Sequence, residues 1–251
     1  MKSYINTFSL STIALFVFLL ISGCATTKER PVPSDPKIQA ILGDMEKQNS
    51  GLKTFNGQGS ITITEQSKVK SYRLAWAAAI PDRIRLIVLF SGQPIETVAA
   101  DGENLYLKSH TGSHVPITRR RKNPSLEPFI GLPLTTNQIT YYLSGKVPIP
   151  DYKKIQIDKM TDSTGSVLSF YKNEETVVQQ VFLDENNKVL SYEITENTKT
   201  RYRVSIGKSG SEDNLIFPTT INVVQGERSC LITVEKTTPN PELSPETFVV
   251  K

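Results

Sequence analysis

From Phe55 onward, apolar residues return at every second position for most of the chain, and this period constrains the fold more than any other feature. In Ser60-Ile61-Thr62-Ile63-Thr64 the isoleucines share one face and the hydroxyls the other. In "KSYRLAWAAAI" Tyr72, Leu74, Trp76, Ala78 and Ile80 alternate with Ser71, Arg73, Ala75, Ala77 and Ala79. A period of two belongs to strands with one buried face. "RIRLIVLF" starts the same way and becomes apolar on both faces from Leu86 to Phe90. Pro81-Asp82, Ser91-Gly92-Gln93-Pro94 and Asp101-Gly102 interrupt the runs as turns. The first half therefore reads as a meander of about five antiparallel strands. After Pro150 the period resumes in "SVLSFYK", "TVVQQVFLD", "VLSYEIT", "RYRVSI", "FPTTINVV" and "CLITVEK". The tail "NPELSPETFVV" reads as a loop and a short edge strand. The fold class is mainly β (α+β), with about eleven strands in a single domain over residues 35–251.

Two helical segments interrupt this pattern. Asp35 stands as an N-cap before Pro36, and Ile38, Ile41, Leu42 and Met45 follow at helical spacing, up to Gly51. The second lies in "FIGLPLTTNQITYYLSGKVPIP". Thr135 and Gln138 have capping-box spacing, Leu134 and Ile139 fit a hydrophobic staple, and Gly145 and Pro148 end the helix. Ile139, Tyr142 and Leu143 form its apolar stripe. At about nine residues it is too short to be stable alone and must lean on other structure.

The first 23 residues read as a targeting segment: Lys2, then the apolar run "FSLSTIALFVFLLI". Ile21-Ser22-Gly23-Cys24 resembles the bacterial lipobox, which implies cleavage before Cys24 and acylation of that cysteine. Two or more acyl chains at ~0.8 kcal/mol per buried CH₂ make a stable anchor. Ala25 in place of Asp favours the outer membrane over the inner. Residues 24–34, with "TTKERPVPS", read as the tether. An acylated Cys24 leaves Cys230 without a partner, as a buried apolar residue in a strand.

The chemistry suggested by spacing is sparse. The chain has no glycine-rich phosphate loop and no G-x-S-x-G turn. Its two histidines, His110 and His114, flank Gly112 in a turn, with no carboxylate or cysteine nearby in sequence, so they read as an exposed hairpin rather than a metal pair. We expect no catalytic residues, no metal and no cofactor. The net charge of +4 is spread along the chain, and an extracytoplasmic position argues against nucleic acid. Arg119-Arg120-Arg121-Lys122 is the one dense charge run, readable as a solvated loop or a contact with anionic lipid.

The lipobox, the amphipathic helix, "FNGQGSI", "PDRIRLIVLFSGQPIETVAADGENLYL" and "IGLPLTTNQITYYLSGKVPIPDY" together resemble the LolB-like outer-membrane lipoproteins, best over residues 34–151. The resemblance implies a curved, unclosed antiparallel barrel with a helical lid, and no enzymatic activity. It implies a cavity for acyl chains lined by Ile38, Ile41, Leu42, Met45, Leu74, Trp76, Leu86, Val88, Phe129, Ile139, Tyr142 and Leu143. The residues themselves point the same way more weakly: a curved sheet with small and apolar Ala75, Ala77, Leu86 and Val88 on its concave face leaves room for a cavity under loose helices. It further implies a monomer that takes lipoproteins from a LolA-like periplasmic carrier and delivers them to the outer membrane. The membrane-delivery turn falls at Leu89 and Phe90, where the family's Pro-Leu-Gly reads Phe-Ser-Gly. A carrier or sensor of another lipid or glycolipid with this fold, and a structural lipoprotein that binds a protein, remain as alternatives.

Overall fold

The runs of period two all form strands, and the computed structural model adds others that the pattern did not show. In chain order they are β1 (Thr54–Glu65), β2 (Lys68–Ala79), β3 (Arg83–Phe90), β4 (Gln93–Asp101), β5 (Asn104–Ser109), β6 (Ile117–Arg120), β7 (Lys154–Lys159), β8 (Ser166–Tyr171), β9 (Val177–Leu183), β10 (Val189–Glu196), β11 (Lys199–Ile206), β12 (Ser209–Glu212), β13 (Leu215–Pro218), β14 (Thr220–Gln225) and β15 (Arg228–Pro239). Among the described residues three α-helices join them: α1 (Pro36–Lys47), the single turn α2 (Glu127–Ile130) and α3 (Thr136–Leu143). The structure describes residues 30–161, 163–196, 199–207, 209–212 and 214–250. The leader and Cys24 lie outside them. The described residues from Pro31 onward pack as one unit.

Thirteen strands form one antiparallel sheet, ordered β6-β5-β4-β3-β2-β1-β15-β14-β11-β10-β9-β8-β7, while β12 and β13 make a separate hairpin. The expected count of about eleven was low because β6 and β7 are the edge strands. Edge strands are short and half exposed, so alternation has little to bury there. "FPTTINVV" divides between β13 and β14. The basic run is not wholly a loop: Arg119 and Arg120 belong to β6, with Arg120 and Lys122 near Glu103. Charge on an edge strand discourages pairing with another sheet. The tail forms a 3₁₀ turn, Pro245–Phe248, rather than an edge strand. Phe248 is buried under the Arg83 guanidinium, 5.5 Å from its ring centre, so an aromatic anchor takes the place of a ladder.

The two sheet edges, β6 and β7, are consecutive in the chain. The segment between them, which carries α2 and α3, therefore has to cross the open side of the sheet. α3 is held as its sequence predicts. Thr135 Oγ1 accepts from the Gln138 N–H at 3.4 Å, and Gln138 Oε1 accepts from the Thr135 N–H at 2.9 Å. Ile139, Tyr142 and Leu143 are all buried. Tyr142 packs on Tyr192 of β10 with ring centres 5.2 Å apart, and Gln138 Nε2 donates to the Tyr202 hydroxyl of β11 at 2.6 Å. Desolvation pushes the Tyr142 and Tyr192 phenols well above their ordinary range, so both stay neutral. α1 starts with Lys37 N–H donating to Asp35 Oδ1 at 2.8 Å and buries Ile38, Ile41, Leu42 and Met45.

β1 carries two glycines at close approaches. Gly57 lies beneath Trp76, where a Cβ would meet the indole ring at 2.5 Å. Gly59 sits at the bulge between β1 and β15, where a Cβ would lie 1.9 Å from the Thr233 carbonyl oxygen. Gly59→Ala should therefore destabilise the domain by about 1–3 kcal/mol in urea unfolding. Gly43→Ala, in α1 with open space around its Cβ, should raise stability by about 0.5–1 kcal/mol.

Candidate functional site

Five neighbouring strands build an apolar wall from alternate residues. Ile232 of β15 faces Ile61 of β1, which faces Tyr72 of β2. Leu74 pairs with Val88 of β3, and Leu86 pairs with Val98 of β4. This wall does not meet α3 along its whole length. It bounds a cavity of about 380 Å³, within the size range of small-molecule sites, roughly 300–1,000 Å³. Ile63, Ile95, Leu126, Pro128, Phe129, Ile130 and Ile139 complete the apolar lining, and Glu96 and His114 stand in it as polar groups.

The cavity's cover is the α2 segment, and its roots differ from its tip. Leu126, Leu132 and Leu134 are fully buried, and the Leu126 N–H donates to the Leu134 carbonyl at 2.6 Å. Between these roots Pro128, Phe129 and Ile130 are only partly covered. Gly131 turns the chain at φ 67°, and its carbonyl accepts from Arg228 of β15 at 3.4 Å. A short segment pinned at both ends, with half-exposed apolar residues between, has the build of a cover that can shift without unfolding the sheet.

His114 reaches this site because hydrogen bonding in the β4–β5 hairpin closes a gap of eighteen residues. Its Nε2 lies 2.9 Å from Glu96 Oε1, and its Nδ1 lies 2.8 Å from the Val115 carbonyl. Both ring nitrogens face acceptors, and both can donate only in the imidazolium form. The Val115 carbonyl and then Glu96 accordingly raise its pKa above 6.5. His110 takes a different place, with Nε2 2.9 Å from the Thr97 hydroxyl. The expected exposed hairpin is thus half right: its tip is exposed, but His114 lies beside a carboxylate that sequence distance hid. Among the described residues no group of three or more His, Cys, Asp or Glu could hold a metal. A histidine with a carboxylate can act as a base, but no Ser, Thr or Cys lines the cavity as a nucleophile.

Of the residues singled out from the sequence, Leu74, Leu86, Val88, Phe129 and Ile139 line this cavity. Ile38, Ile41, Leu42, Met45, Trp76, Tyr142 and Leu143 are core residues that do not reach it. Ala75 and Ala77 lie on the opposite face, in a groove with Arg85, Lys236 and Thr247. A one-residue step along a strand reverses the face, and Leu74 and Trp76 take the inner one. Cys230 is buried, and desolvation pushes its thiol up to about 12. Leu89 and Phe90 lead into a two-residue turn, Ser91-Gly92, with both φ positive; Phe90 is 61% exposed. Sequence reasoning missed Asn49. Its Nδ2 donates to the Ser144 and Ile216 carbonyls at 2.7 and 2.6 Å, and its Oδ1 accepts from the Ile216 N–H at 2.9 Å. One buried amide thus ties the ends of α1 and α3 to β13. Its lone signal in the sequence was an Asn just past a helix, a common site of positive φ; here φ is 53°.

These placements separate core from cover. Leu143→Ala should cost about 2–5 kcal/mol in denaturant unfolding, as a buried deletion. Phe129→Ala should change stability by less than about 1 kcal/mol and act on the cavity instead. For His114, the folded pKa lies above the unfolded one. Its stabilising contribution is therefore complete below pH 6.5 and is lost as pH rises through the raised value. An NMR titration should show His114 above 6.5, with a downward shift in Glu96→Gln.

Comparison with known proteins agrees with the architecture. No protein-family model matches the chain, and no curated protein matches it in sequence. Solved structures do match. A Vibrio parahaemolyticus domain assigned by name to outer-membrane lipoprotein sorting is 12% identical, with TM-score 0.59 over 83% of this chain and 94% of that one. A LolA superfamily protein from Nitrosomonas europaea is 12% identical, with TM-score 0.56 over 84% and 97%. A DUF1329 family protein from Desulfovibrio piger is 10% identical, with TM-score 0.57 over 84% and 95%. The chain has the curved, unclosed antiparallel fold of the LolA superfamily.

Proposed function

We propose that this chain is a membrane-anchored binding protein for acyl chains, and that the cavity under β1–β4 takes the chains of lipoproteins. The observation that carries this reading is the lining. Fourteen of its sixteen residues are apolar or aromatic, beneath a cover of Pro128, Phe129 and Ile130. An apolar cavity gains ~0.8 kcal/mol for each CH₂ it removes from water. Such a site holds alkyl chains without bond-making chemistry. The two fold neighbours named for lipoprotein sorting and for LolA support the same class of cargo.

In this reading residues 1–23 are removed, Cys24 is acylated, and residues 24–34 tether the domain of residues 35–251 on the periplasmic side of the outer membrane. The protein acts as an acceptor from a LolA-like carrier. Transfer then runs toward whichever cavity binds the acyl chains better, so direction needs only a difference in affinity. Phe90 serves as the delivery residue, because an exposed aromatic ring on a tight turn can enter a bilayer surface at little cost to the fold.

Two substitutions test the reading separately. Val88→Trp fills the cavity from its wall. It should abolish displacement of a fluorescent fatty acid by acylated peptide while the thermal midpoint shifts by only a few degrees. Unchanged binding would place the acyl chains elsewhere. Phe90→Glu should leave that binding intact and reduce lipoprotein delivery to outer-membrane vesicles several-fold. Loss of both together would argue against a separate delivery turn.

A further inference from the structure

The inner face of the β1–β2 hairpin changes character along its length. Toward the interior it presents Leu74, Tyr72 and Ile61 to the cavity. In the same register it continues through Ile63 opposite Lys70 and Glu65 opposite Lys68. Lys68, Lys70 and Leu74 therefore belong to one stripe, ~20 Å long from Lys68 to Leu74 at the usual rise of a strand.

Beside the apolar cavity this stripe walls a second chamber of about 500 Å³, lined by Lys68, Lys70 and Arg228 together with Glu65 and Glu127. The two spaces share Ile63, Tyr72, Pro128, Phe129 and Ile130, so the α2 segment covers both. Charge in the outer chamber is unevenly used. Arg228 holds Glu65, with Nη2 3.3 Å from its Oε1. Among the described residues no ion pair holds Lys68 or Lys70. Three cations face two carboxylates, and the two lysines are the groups left to a ligand.

We infer that the cavity also takes an amphiphile with an anionic head group, its alkyl chain under β1–β4 and its head between Lys68 and Lys70. This inference rests on the acyl-binding reading above and names a further ligand class for the same cavity, since the acylated cysteine of a lipoprotein carries no anionic head. Geometry fixes the order: the apolar end lies deep beneath Ile139 and Phe129, and the charged end lies at the hairpin rim, open to solvent. A neutral head group of similar size gains nothing from the lysines, whereas a phosphate monoester gains charge-assisted hydrogen bonds.

The test compares dodecyl phosphate with dodecyl maltoside, each below its micelle concentration, by displacement of a fluorescent fatty acid from the native protein. Dodecyl phosphate should bind roughly tenfold more tightly, with the advantage shrinking as salt rises. In Lys68→Ala/Lys70→Ala the advantage should disappear while dodecyl maltoside binds as before. Both residues are exposed, so the variant should fold. Equal binding of the two amphiphiles would overturn the head-group inference and leave the acyl cavity standing. No binding of either would overturn the acyl-binding reading itself. Inorganic phosphate alone should displace the probe poorly. Displacement as strong as that by dodecyl phosphate would mark a simple anion site and overturn the amphiphile.

Discussion

The arrangement depends on one topological constraint: the free edges of the sheet, β6 and β7, are neighbours in sequence and far apart in the strand order. A chain that leaves one edge and must begin the other has to cross the open side. The crossing segment is therefore obliged to supply a core for a sheet that does not close on itself. Its sequence meets that demand unevenly. Leu126, Leu132, Leu134, Tyr142 and Leu143 are buried, whereas Pro128, Phe129 and Ile130 remain partly exposed.

That unevenness produces the cavity. α3 turns Tyr142 onto Tyr192 of β10 and bonds Tyr202 of β11 through Gln138, so of its apolar stripe Ile139 is the residue that lines the cavity. The remaining space is covered by a short segment rooted at both ends. An apolar cavity of this size forgoes contacts that a filled core would have made, and any water in it finds few hydrogen-bonding partners on its lining. A fold that keeps such a void and covers it with half-exposed side chains is suited to occupation by an apolar ligand. The polar groups fit the same logic. Glu96 and His114 satisfy each other at the wall, and the lysines of β2 stay outside, at the rim.

The core, by contrast, is secured by groups with no part in binding. Asn49 joins three elements through one amide, Gly57 yields its side-chain space to Trp76, and Gly59 lets β15 close against β1. Each is a small or polar residue whose importance comes from the element opposite it.

The sequence by itself determined the class of fold, because a period of two can bury only one face of a sheet, and the alternating runs all form strands, with "FPTTINVV" divided between two. It also determined both helix starts, since caps act within four residues: Asp35 and the Thr135–Gln138 pair hold as written. What it could not reach was every feature set by contacts across the chain. The edge strands β6 and β7 are defined by a neighbour on one side only. The choice of Leu74 over Ala75 for the cavity depends on which face curves inward. His114 needs Glu96, which the hairpin brings from eighteen residues away. Whether α3 is cover or core was decided by Tyr192 and Tyr202, fifty or more residues beyond the side chains they meet, because burial belongs to the partner surface and not to the helix that carries the stripe.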